Sequence, residues 1–104
     1  MSKEKLIVIV PMPGIFLLDI AGPSDVFMSA NRVLRANPGG QAGYELLLAS
    51  PVDAYKIVTQ SGIEIGCPVM ASEIDRPVDT LIIAGFSRLE LKTGHPFFAF
   101  SAVA

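Results

Sequence analysis

The 104 residues include one cysteine, Cys67, one histidine, His95, and no tryptophan. A single thiol excludes an intramolecular disulfide framework and suits a reducing compartment. One Cys and one His cannot supply a four-ligand structural metal site of those residues within one chain. No metal and no cofactor is expected. Charge is scarce too: eight Lys and Arg against ten Asp and Glu, a net charge of -2. The basic residues form no run and there is no helix-turn-helix signature, which argues against a nucleic-acid surface. No apolar stretch reaches the roughly 20 residues that cross a bilayer. Behind the charged N-terminus, Pro11 and Pro13 cut the apolar run short, so a signal peptide is not expected. The expected setting is cytoplasmic, with no membrane partner.

What the chain does have is apolar content, 51% of its residues. That is too much for a disordered segment and enough for one domain with a core. Residues 5–12 form a continuous Ile/Val-rich run, the pattern of a strand buried on both faces. Pro13-Gly14 breaks it. From Leu18 to Arg35, apolar residues at Ile20, Val26, Phe27, Ala30, Val33 and Leu34 follow helical spacing. Pro23 falls early in that helix, where a missing N–H costs least. Asn37-Pro38-Gly39-Gly40 ends it. Tyr44–Ser50 reads as a second buried strand, parallel to the first. Residues 55–59 and 63–65, separated by Gln60-Ser61-Gly62, read as a small hairpin or two short edge strands, and residues 71–75 as a helical turn. Asp79–Gly85 is a third long strand. The alternation of strand and helix predicts an α/β chain with a parallel sheet. Periodicity does not distinguish strand from helix over residues 86–104.

The run Leu17-Leu18-Asp19-Ile20-Ala21-Gly22-Pro23-Ser24-Asp25-Val26-Phe27, after strand one and Pro13-Gly14-Ile15-Phe16, resembles the DJ-1/PfpI superfamily. Ala30-Asn31-Arg32, Tyr44-Glu45, Ala49-Ser50-Pro51, Val58-Thr59-Gln60-Ser61-Gly62 and Asp79–Gly85 extend the resemblance, in the family's order, over residues 5–85. Within that glutamine-amidotransferase-like superfamily, the chain is most similar to the N-terminal sensor domain of AraC-type transcriptional regulators. The Leu-Asp-Ile-Ala-Gly-Pro core is also similar to the isocyanide hydratases, cysteine enzymes of the same superfamily.

The resemblance implies a flavodoxin-like parallel sheet with flanking helices, truncated to its N-terminal half, with residues 86–104 atypical. Family members place paired glycines after the third long strand, where this chain has Gly85-Phe86. They carry a nucleophile on a strand-to-helix elbow roughly 25–30 residues further on. Residue 104 precedes that point, so no catalysis is expected of the chain as it stands. A fragment of a cysteine hydrolase or an isocyanide hydratase-like enzyme is the alternative. DNA contact would come only through a C-terminal module that this sequence does not contain.

Asp19 occupies the family's acid position, at the sheet end where ligands gather in open α/β folds. Read structurally, it is an acid favoured by the dipole of a helix N-terminus. Pro13, Gly14, Gly85 and Phe86 follow strand ends and are candidates, with Asp19, to shape the mouth of a site for an unknown small molecule. Turn chemistry alone also accounts for these glycines and proline. Cys67, between Gly66 and Pro68 with no neighbouring base in sequence, reads as a packing residue. His95 reads as an inert loop residue. Phe27 and the methionines read as core. Gly14 and Gly22 lack the spacing of a dinucleotide loop. The unpaired edges of half a sheet lead us to expect a homo-oligomer, a dimer in the first instance.

Overall fold

The computed structural model describes residues 4–37, 39 and 42–85. Strand β1 (Lys5–Pro11) is buried at six of its seven positions, as its unbroken apolar run predicts. It is central because it pairs in parallel with a strand on either side. Strand β2 (Tyr44–Ser50) lies along one edge, with Val8 opposite Leu47. Strand β6 (Thr80–Ala84) lies along the other, with Val8 opposite Leu81. The sheet is completed by β5 (Val69–Met70), parallel to β2 through Ala49 and Ser50, giving the order β5-β2-β1-β6. Strands β3 (Lys56–Val58) and β4 (Glu64–Gly66) form the expected antiparallel hairpin as a separate two-stranded sheet.

Alternation along β1 divides the core between two faces. Leu6, Val8, Val10 and Met12 meet Ala49 on one face. Ile9 joins Ile15, Ile20, Ile57, Cys67 and Ala84 on the other, beneath the helix and hairpin. Strand β2 is only half-buried over residues 44–48, in contrast to the fully buried strand expected from its Leu run. The reason is its position: among the described residues, its outer edge carries only the two-residue β5.

Helix α1 (Leu18–Ala36) has no side-chain N-cap; Leu17 is itself helical. Instead the N–H groups of Asp19, Ile20 and Ala21 donate to the carbonyls of Phe16, Leu17 and Leu17. Pro23 is the sixth residue of the helix, early in it as expected but past the first turn, where a missing N–H costs nothing. Its missing N–H deprives the Asp19 carbonyl of the usual partner four residues on. Asn37 ends the helix in extended backbone, its N–H bonded to the Leu34 carbonyl.

Asn31 is the helix's most buried polar residue, 1% exposed. Its amide Nδ2 donates to the Tyr44 carbonyl (2.8 Å), and its Oδ1 accepts from the Tyr44 N–H (2.6 Å). The N–H and C=O of one strand residue point to the same edge, so this side chain takes the place of a neighbouring strand. Gly43 beside it leaves the room: a Cβ there would overlap the Asn31 amide oxygen. Phe27 packs edge-to-face on Tyr44 at 5.0 Å, half-buried. Of the methionines expected in the core, Met12 is buried but Met28 is half exposed, because it lies off the face that meets the sheet.

A surface carboxylate joins the hairpin to β5. Glu73, in the 3-10 turn Ala71–Glu73, accepts from the Met70 N–H (2.8 Å) and from the Tyr55 hydroxyl (2.6 Å). The Met70 bond, then the Tyr55 bond, hold its carboxyl below the ordinary 4.5. No described helix is long and apolar enough to cross a membrane.

Candidate functional site

The segment after β1 is fastened on two sides at the C-terminal end of the sheet. On one side the Met12 N–H donates to the Ala84 carbonyl at the end of β6 (3.1 Å). On the other, the Gly14 N–H donates to Val58 O (2.9 Å) and the Gln60 N–H to Ile15 O (2.8 Å), both in the hairpin. Pro13-Gly14, the hairpin turn and Gly85 therefore meet around Ile15. This is the location expected from the strand ends.

Two glycines fit this junction for different reasons. Gly14 has φ +81, a left-handed conformation, with open space around it; the nearest atom to an added Cβ is Gln60 Oε1 at 4.0 Å. Gly85 has φ +68 and is also tightly packed, since a Cβ there would lie 2.5 Å from Ile15 Cγ1. Gly85 lets the end of β6 close over Ile15, which is a steric demand as well as a conformational one.

Asp19 lies in the first turn of α1, one turn beyond this junction, and its side chain is exposed. Among the described residues its carboxylate has no hydrogen-bond partner. Phe86 lies outside the described residues, as does His95. Cys67 packs with Ile15, Ile20 and Ala84 directly beneath the junction, 3% exposed. Burial pushes its thiol up from the ordinary value of 9.0, which favours the protonated form. The thiol is a packing group, in line with the sequence. Among the described residues no cluster of ligating side chains surrounds Asp19 either. This end presents, among the described residues, an exposed carboxylate at Asp19, a side-chain amide at Gln60 and the two-thirds exposed ring of Phe16.

Gln60 was legible only as a turn residue; its tie to Ile15 depends on hairpin docking, which no local pattern encodes. Sequence reasoning also missed a cavity of about 290 Å³ beneath α1, lined among others by Ile9, Ile20, Ser24, Leu46, Leu48 and Pro68. Its walls are mainly apolar, and it includes none of Pro13, Gly14, Asp19 or Gly85.

No protein-family model, curated protein or solved structure matches the chain.

Proposed function

We propose that this chain is the small-molecule-sensing N-terminal domain of an AraC-type transcriptional regulator, with the flavodoxin-like fold of the DJ-1/PfpI superfamily. It acts by binding rather than by catalysis, in the cytoplasm, and reaches DNA only through a C-terminal module. The observation that supports a binding site is the junction itself. Three chain segments are hydrogen-bonded together at the C-terminal end of a parallel sheet, with exposed Asp19 one turn away. Loops at that end carry ligand sites in open α/β sheets. Asp19, Pro13, Gly14, Gly85 and Phe86 remain the residues assigned to the site. The enzyme alternative gains nothing from Cys67, whose burial opposes the thiolate a nucleophile requires.

A carboxylate at the mouth favours ligands bearing hydrogen-bond donors, such as amines, amides and polyols. Thermal unfolding of the chain against a panel of such compounds tests the reading. A ligand at tenfold excess over its Kd stabilises by about 1.4 kcal/mol. In a domain of this size that raises the midpoint by roughly 6–11 °C. Asp19→Asn is expected to remove most of the rise, while lowering the unliganded midpoint by only the few degrees that loss of a helix-dipole interaction brings. A rise that is the same in Asp19→Asn refutes the role of this carboxylate.

A further inference from the structure

The outer edge of β2 holds a short row of unused backbone groups. The Lys5 N–H donates to the Gly43 carbonyl, so odd-numbered residues of this stretch turn their backbone groups toward β1. Even-numbered residues turn theirs outward. At Tyr44 the Asn31 amide takes both groups, and at the far end β5 pairs with Ala49 and Ser50. Between these two stops, the N–H and C=O of Leu46 and the N–H of Leu48 face out. Among the described residues none of the three has a partner.

The cavity beneath α1 meets this gap. Ile9, Ile20, Leu48 and Pro68 give it apolar walls, and Ser24 brings a half-buried hydroxyl. Leu47 also lines it, although its side chain packs against the cluster of Val8 and Val10 on the other face of the sheet. Its share of the wall is therefore at the strand edge. The spacing agrees: Ser24 lies about 10 Å along the helix from Asn31, and Leu47 about 10 Å along the strand from Tyr44. A volume of about 290 Å³ has room for roughly ten waters, each of which forms about three hydrogen bonds when held well. The Ser24 hydroxyl and the three edge groups fall far short of that demand. Water is held poorly here, and its displacement by a largely apolar molecule is favoured.

We propose that the cavity binds a compact, flat heteroaromatic molecule whose ring edge presents an N–H donor beside a nitrogen acceptor. The donor bonds to the Leu46 carbonyl and the acceptor takes the Leu46 N–H, while the ring fills the space beneath Ile20. Asn31 is the precedent within the molecule. Its planar amide, with a donor and an acceptor side by side, makes this pair of bonds at Tyr44. Leu46 offers the same pair on the same edge, about 7 Å further along the strand. The volume matches a bicyclic ring of about ten non-hydrogen atoms, each taking about the space of a water. A strand from another chain fits less well, because Asn31 and β5 close the gap at both ends and leave less than an ordinary strand length between them. The site is separate from the junction near Asp19, and the inference does not rest on the proposed function.

The test is an NMR titration of the full chain with the azaindole whose ring nitrogen neighbours its N–H. The expected result is a saturable downfield shift of the Leu46 amide proton, with changes at Ser24 and Leu48. A Kd of roughly 0.1–1 mM suits a molecule of this size. Indole keeps the shape and the N–H but lacks the acceptor, and it is expected to bind about tenfold more weakly. The N-methylated azaindole, which lacks the donor, is expected to lose as much. Ser24→Leu puts a side chain into the cavity and is expected to abolish binding in a folded chain, since leucine favours helix over serine. Asp19→Asn is expected to leave binding unchanged. Absence of a saturable shift up to about 5 mM overturns the proposal, as that is several times the expected Kd. Equal binding of the three compounds overturns the role of Leu46, and this comparison needs no variant. Binding intact in Ser24→Leu, or shifts centred on Gly14, Gln60 and Gly85, overturns the location. A Leu46 amide protected from hydrogen exchange in the free chain overturns the proposal too, because the edge is then already paired by another strand.

Discussion

Gly14 and Gly85 share a positive φ but differ in surroundings, so alanine is expected to separate the two costs. At Gly14 only the left-handed backbone is penalised, and Gly14→Ala is expected to cost about 1–2 kcal/mol. At Gly85 the same penalty is joined by overlap with Ile15 Cγ1, and the loss is expected to reach about 2–4 kcal/mol. Urea denaturation of the two variants checks the order; equal losses would mean that Ile15 yields without cost. Asn31 makes a sharper case. Asn31→Ala strips both backbone groups of Tyr44 of their partner and is expected to cost about 2–3 kcal/mol. Asn31→Asp, nearly the same shape, keeps the acceptor for the Tyr44 N–H but places a carboxylate oxygen against the Tyr44 carbonyl. It too is expected to destabilise, by an amount comparable to alanine. If aspartate were tolerated like asparagine, the bond to the Tyr44 carbonyl would carry no weight.

Among the elements, the link between hairpin and sheet is the one that pH should reach. Glu73 accepts from Met70 and Tyr55, and Glu45 is held low by hydrogen bonding to Arg76 (2.9 Å to Nη1), so both carboxyls lie below the ordinary 4.5 when folded. A lowered folded value means that the stabilisation is complete above the unfolded value and lost as pH falls through the folded one. The urea midpoint is therefore expected to hold from pH 7 to about 5 and then decline in acid. Glu73→Gln should decline less steeply, and an unchanged slope would exclude Glu73 from the effect. At the alkaline end the sign reverses. The bond to Glu73 raises the Tyr55 hydroxyl above 10.0, so its contribution is present below that value and is lost as pH rises through the raised one.

The long elements were legible because each buries enough side chains to impose a period. The run 5–12, the helix from Leu18 and the strand Tyr44–Ser50 all lie where the pattern puts them. Two-residue β5 was not legible, since Val69–Met70 has no period and exists only because Ala49 and Ser50 offer an edge. The helix start at Leu18 was legible although no side chain caps it, but the cost of Pro23 was not, since as sixth residue it lies past the first turn, where a missing N–H leaves a carbonyl without its partner. Of the candidate site, Pro13-Gly14 and Gly85 were legible from punctuation at strand ends. Gln60 and the cavity beneath α1 were not, because both arise where segments distant in sequence pack together.

Taken whole, the molecule is an α/β chain with a four-stranded parallel sheet and one described helix, and two places among its described residues are candidates to hold a ligand. One is the fastened junction of Gly14, Gln60 and Gly85 near Asp19; the other is the apolar cavity beneath Ile20 and Ser24. The proposed function rests on the first. A map of backbone amide chemical shifts, recorded as a stabilising amine, amide or polyol is added, decides between them. The account expects the largest changes at Gly14, Ile15, Asp19, Gln60 and Gly85, lost in Asp19→Asn. Changes confined to Ser24, Leu46, Leu48 and Gly66, unaltered in Asp19→Asn, would contradict it and move the site to the cavity.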